Sequence, residues 1–153
     1  MDPNELRAAR SEAVPFNRHL GLEIRDIGAG NSGVRLPAAN ALRNHLGTQH
    51  AGALFSAGEA ASGAAFLGAF VDRLAEIRPL ATKAKIAFLR TARGPILAIA
   101  HLDDAAHELL GALLAEGLVR FPVRVDLRDD EDRAVAEMTV HWHVRLVSRK
   151  AAA

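Results

Sequence analysis

The chain of 153 residues contains no cysteine. Disulfides and thiolate metal sites are therefore excluded, and the absence fits a reducing compartment. Charge of either sign is missing in excess: 19 Lys and Arg stand against 18 Asp and Glu, a net charge of +1. Nothing in that balance draws the chain toward nucleic acid or an anionic membrane. The opening "MDPNELRAAR" lacks the apolar run of a secretory signal, so the expected location is cytoplasmic. No internal repeat is present, and no low-complexity segment beyond the alanine tail at 151–153. Neither Ser56 nor Ser62 has the Gly-x-Ser-x-Gly frame of a hydrolase nucleophile. What remains is a globular composition, 50% hydrophobic and 24% charged, expected to form one domain over residues 1–153.

The most informative absence is local. "NHLGTQHAGALFSAGEAASGAAFLGAF", residues 44–70, holds a single formal charge, Glu59, and no other lies between Arg43 and Asp72. A buried unpaired carboxylate is costly or is neutralised by a shifted pKa, so the position needs a reason. The run 51–71 is long enough to span a bilayer, but its central carboxylate and its Ala and Gly content argue against insertion.

Residues 2–20 read as a helix, with Asp2 as cap, Pro3 and Glu5 in its first turn and Gly21 at its end. Strands "LEIRDIG" and "SGVRLP" follow, joined by "AGN". A loop over 37–49 leads into a long helix from 51 to about 74, stopped by Pro79. Four mostly antiparallel strands are predicted beyond it, at 82–92, 96–103, 118–129 and 134–147, with a short helix at 105–117. Val119, Phe121, Val123, Val125 and Leu127 recur with a period of two, the mark of a half-buried strand. On the last strand Met138, Val140, Trp142 and Val144 share the core side, which leaves His141 and His143 facing solvent or an interface rather than forming a metal pair. His101, Asp103, Asp104 and His107 show no ligand spacing and read as surface residues. An antiparallel sheet with one apolar face needs a cover, and the long helix is its natural one. Small residues along that helix let a curved sheet approach closely.

This α+β order resembles the hotdog fold, a curled antiparallel sheet wrapped around one long central helix, here with an N-terminal helix added. The motif "NHLGTQHAGALFSAGE" resembles acyl-CoA thioesterases of the phenylacetyl-CoA type. They carry Asn, then a His six residues later followed by Gly-Gly, then Asp or Glu nine residues beyond the His. Asn44, His50 and Glu59 fall at those spacings, with Ala51 and Gly52 in place of Gly-Gly. The resemblance implies an acyl-CoA substrate, coenzyme A entering only as part of it, and no metal or cofactor. It assigns Glu59 as general base or nucleophile and the helix-start N–H of Ala51 as oxyanion donor. Gly52 replaces Ala51 as the donor if that position requires a positive φ. Asn44 would orient water or fix a turn, and His50 would hold the carbonyl or the loop. Ser62, Arg90 and Arg93 are expected to meet substrate, and Lys83 and Lys85 are further candidates for the coenzyme A phosphates.

The chemistry is sound, because the first N–H groups of a helix lack intrahelical partners and sit at the positive end of its dipole. A thioester oxygen held there is polarised, and a nearby carboxylate can take a proton from water. One chain does not easily supply both groups. Ala51 and Glu59 lie eight residues apart, or about 12 Å along a helix axis. The resemblance answers this with paired subunits, a homodimer or homotetramer whose antiparallel central helices set one helix start against the other carboxylate. A hydroxyacyl-thioester dehydratase is a rival, since His45 precedes Glu59 by fourteen residues, but "HLGTQHAG" lacks the proline of that group. A non-catalytic acyl-thioester binder and a plain structural oligomer are the others.

Overall fold

The computed structural model describes residues 2–147; the alanine tail at 151–153 lies outside them. The Asp2 carboxylate accepts the Asn4 N–H at 3.3 Å, and Glu5 accepts the Asp2 N–H at 3.3 Å, a reciprocal cap for helix α1, Pro3–Ala13. The single helix expected over 2–20 is instead two, α1 and α2, Pro15–His19. Val14 between them is extended, with φ −110 and ψ 104, because a residue before proline is driven out of the helical region. Gly21, at φ +71, then turns the chain into the sheet.

Six strands form one sheet: β1 Glu23–Gly28, β2 Asn31–Leu36, β3 Ile77–Phe88, β4 Ile96–Leu102, β5 Leu118–Arg128 and β6 Ala134–Leu146. Their order is β1-β2-β4-β5-β6-β3, and every pairing is antiparallel. Along β5 the side chains of Val119, Phe121, Val123, Val125 and Leu127 are buried in alternation with more exposed neighbours, the period read from the sequence. The sheet curls around helix α3, Ala51–Ala69, whose Ala53, Ala57, Gly58, Ala61 and Ala65 are buried against it. Close approach is the reason for small residues there. A Cβ on Gly68 would collide with the Gly28 carbonyl oxygen of β1. Helix α4, Ala106–Glu116, ends on Gly117 at φ +76 and adds Leu109 and Leu113 to the core. The architecture is the α+β hotdog fold that the sequence resemblance implied.

The segment after the central helix departs from expectation. Helix α3 ends at Ala69, a 3₁₀ turn covers Val71–Glu76, and β3 begins at Ile77 with Pro79 inside it, opposite Val144. β3 is the last strand of the sheet, and an outer strand tolerates proline because one of its sides makes no ladder bonds. β3 ends at Phe88 rather than near 92: the Leu89 and Arg90 N–H groups both turn to the Val135 carbonyl. β3 exposes Leu80 at 67%, opposite His143 on the outer face, and Phe88 at 51%, opposite Ala136 on the inner face. No described helix is long and apolar enough to cross a membrane.

Candidate active site

The loop before α3 is held by its own polar side chains. Asn44 Oδ1 accepts the Leu46 N–H at 2.9 Å and the Thr48 N–H at 3.1 Å. Its Nδ2 donates to Thr48 Oγ1 at 2.9 Å and to the Gln49 carbonyl at 3.3 Å. This is the local turn chemistry for which asparagine suits a loop. Gly47, at φ +75, lets the chain reverse. Gln49 is buried, and its Nε2 ties the loop to the Pro37 and Gly94 carbonyls at 3.0 and 2.9 Å.

His50 caps the helix. Its backbone is extended, its carbonyl accepts from the Ala53 and Leu54 N–H groups, and its Nδ1 accepts the Gly52 N–H at 2.8 Å. Nδ1 can accept only without a proton, so the ring carries its proton on Nε2. A Cβ at position 52 would stand 3.1 Å from that Nδ1, which is why glycine suits it. The Gly52 donor is therefore occupied by the cap. Ala51 starts the helix with an ordinary negative φ, since Asp132 alone among described non-glycine residues has a positive one. Alanine stands there unstrained, and its N–H has no acceptor among the described residues. Ala51 lines a cavity of about 310 Å³ together with Asn44, Leu46, Gln49, Phe88 and Arg90.

Glu59 follows two turns along α3, on the side that the sheet leaves uncovered. Its carboxylate makes no hydrogen bond or ion pair among the described residues. Burial raises its pKa above the ordinary glutamate value. Glu59 lines a second cavity, about 260 Å³, between the helix and the two edges of the curled sheet. Ile24 of β1, Pro79 of β3, Trp142 of β6, and Gly63, Phe66 and Leu67 of α3 make its walls. The indole is fixed from behind. Trp142 Nε1 donates to Ser62 Oγ at 3.1 Å, and Ser62 Oγ donates to the Glu59 carbonyl at 2.7 Å.

Ser62 corrects an expectation. It is fully buried, and both its donor and an acceptor site are engaged with Trp142 and Glu59, so it faces the core rather than a ligand. Of the two arginines, Arg90 lines the Ala51 cavity, whereas Arg93 is exposed in the turn before β4 and is not part of that wall. His45 is exposed in the loop and outside the Glu59 cavity. Lys83 and Lys85 are exposed on β3, and His141 and His143 lie on the outer side of β6. No three His, Asp or Glu side chains gather at a metal site among the described residues. Trp142 was legible from the sequence only as a core residue. Its place in the wall beside Glu59 depends on how β6 meets the helix, and the one hint was that the chain has a single tryptophan.

Among the described residues, a single chain thus offers an unoccupied N–H donor and an unpartnered carboxylate, each in its own cavity. The family model described as "Domain of unknown function (DUF4442)" matches residues 4–144. No curated protein matches the sequence. Among solved structures, PA5026 from Pseudomonas aeruginosa, described as a protein of unknown function and probable thioesterase, is 29% identical with a TM-score of 0.84, over 95% of this chain and 97% of that one. PA5202 from the same organism is 24% identical, TM-score 0.70, covering 88% and 94%. OLEI01261 from Chlorobaculum tepidum, of unknown function, is 16% identical, TM-score 0.81, covering 93% of each chain. The last two are likenesses of fold.

Proposed function

The chain belongs to the DUF4442 family, and we propose that it is an acyl-CoA thioesterase that works as a homo-oligomer with its active sites between subunits. The observation that carries this reading is Glu59, a half-buried carboxylate without a partner among the described residues, on the uncovered side of a helix otherwise free of charge. The likeness to PA5026, described as a probable thioesterase, points the same way.

In the proposed reaction, water adds to the thioester carbonyl carbon while Glu59 takes its proton. The oxyanion that forms is held by the N–H of the partner subunit's Ala51 at the positive end of its helix. The tetrahedral intermediate expels the coenzyme A thiolate, which takes the proton back from Glu59, and a carboxylic acid leaves with free coenzyme A. Direct attack by Glu59 through an anhydride is the variant of the same site. Asn44 and His50 act as positioning residues, the first by shaping the loop and the second by directing the helix start. Arg90, in the Ala51 cavity, is assigned to a coenzyme A phosphate.

Support for two subunits comes from β3, an unpaired sheet edge of twelve residues with exposed Leu80 and Phe88. Antiparallel pairing of two such edges would continue the sheet and set the central helices antiparallel. A thiol-release assay over an acyl-CoA panel tests the reading: Glu59→Gln should fold, oligomerise and lose turnover, and wild-type turnover in that variant would remove the carboxylate from the mechanism. A non-catalytic acyl-thioester binder is the second reading, favoured by the largely uncharged cavity beside Glu59, which would hold an acyl group whether or not it is hydrolysed. Its mark is tight acyl-CoA binding with no thiol released.

A further inference from the structure

From the cavity beside Glu59 we infer that this site accepts short acyl groups, a linear chain of up to roughly eight carbons or a single aromatic ring with a short tail, and that the wall formed by Trp142, Gly63 and Leu67 sets the limit. The inference rests on the thioesterase reading for the identity of the ligand, but its geometry is independent of catalysis.

The cavity holds about 260 Å³. An apolar cavity of about 150 Å³ takes up benzene, which leaves room here for roughly one ring and three or four methylene-sized groups. Most of its wall suits an acyl chain, with the Asn17 amide as a polar group beside Glu59 in the lining. Ile24, Gly63, Phe66, Leu67, Pro79 and Trp142 are all without charge, and Glu59 is the ionisable group among the lining residues. A thioester whose carbonyl lay against Glu59 would direct its acyl group along this apolar wall.

One wall of the cavity is firmly fixed. Trp142 is 7% exposed, and its ring centroid lies 4.5 Å from that of Phe66, itself 2% exposed. Ser62 holds the indole N–H from the core side. Such a packed and hydrogen-bonded ring yields little to a longer chain. Gly63 keeps the space open from the helix side. A Cβ there would stand 3.7 Å from the Trp142 ring, an ordinary contact, and a larger side chain would take volume from the cavity.

Because Trp142 is the sole tryptophan, its emission reports on the cavity directly. The probes are non-hydrolysable S-alkyl-CoA thioethers from ethyl to dodecyl, titrated into the intact oligomer. Affinity should rise about fourfold per methylene up to about octyl, with a shift in emission, and stop rising or fall at dodecyl. Gly63→Leu should move the break to shorter chains, and Leu67→Ala should move it to longer ones. An affinity that climbs without a break through dodecyl, an emission indifferent to chain length, or the same break in all three proteins would overturn the inference. Thiol release from the corresponding acyl-CoAs, measured in parallel, separates the two claims. A break with no release leaves the cavity assignment standing and removes hydrolysis; release with no break does the reverse.

Discussion

The two parts of helix α3 that carry the proposed site are built on opposite plans. Around its start almost every polar group is engaged: Asn44 with both ends of its amide, Gln49 with both of its donor contacts, His50 with the Gly52 N–H. Two turns on, the Glu59 carboxylate is engaged with nothing among the described residues, in a setting of Ala, Gly and aromatic side chains. The first arrangement is what stability favours, since buried polar groups are normally paired. The second is what stability disfavours, and a fold retains it where the group has other work. Amid the well-bonded start two groups are left over among the described residues, the Ala51 N–H and the buried Gln49 Oε1. The contrast teaches that the groups left unused are more informative about function than the groups that are well bonded.

Substitutions should break that contrast unequally. The largest expected effect is Glu59→Gln: turnover should fall by roughly 10²-fold or more, with oligomeric state unchanged in light scattering. Asn44→Ala should come next, and chiefly on stability. Loss of its paired loop contacts is expected to cost about 2 kcal/mol, a fall in Tm of roughly 4–8 °C, visible by calorimetry. His50→Ala removes a helix cap and should cost about 1 kcal/mol, with a loss of kcat that is small beside that of Glu59→Gln.

The smallest effect is also the most specific to the contrast. Burial raises the Glu59 pKa, so the folded chain holds this proton more tightly than the unfolded one. Below the ordinary glutamate range the group is neutral in both states and contributes nothing. As pH rises from that range through the raised folded value, wild-type stability declines relative to a variant that cannot ionise. Glu59→Gln should therefore melt higher than wild type at neutral pH, with the gap closing as the solution is acidified. An equal gap at all pH values would mean that Glu59 is not the group responsible.

How far the sequence could be read depended on which physics decided each element. The alternation in β5 and the apolar side of β6 are local patterns, and both strands stand where the pattern predicted them. Over 70–92 the sequence pattern points to Pro79 as a helix stop, whereas the deciding fact is that β3 has an outer edge with no ladder to interrupt. Val14 before Pro15 carried a signal for the break between α1 and α2 that helix capping at either end obscured. In the site, the spacing of Asn44, His50 and Glu59 was visible in one dimension. The turn of Ser62 toward the core, the use of the Gly52 N–H by His50, and the Trp142 wall were not. Each depends on a side-chain direction or on a contact between β6 and a helix eighty residues earlier in the chain.

Complementation between two inactive variants tests the shared site most directly. Ala51→Pro deletes the N–H at the first helical position, where proline is otherwise well tolerated, and Glu59→Gln deletes the base. Each alone should be inactive. Unfolded together in equal amounts and refolded, they should recover about a quarter of wild-type activity, because half of the dimers are mixed and each mixed dimer restores one of its two equivalent sites. A refolded mixture as inactive as its parents, with mixed oligomers demonstrated by mass spectrometry, would contradict a site shared between Glu59 of one subunit and Ala51 of the other.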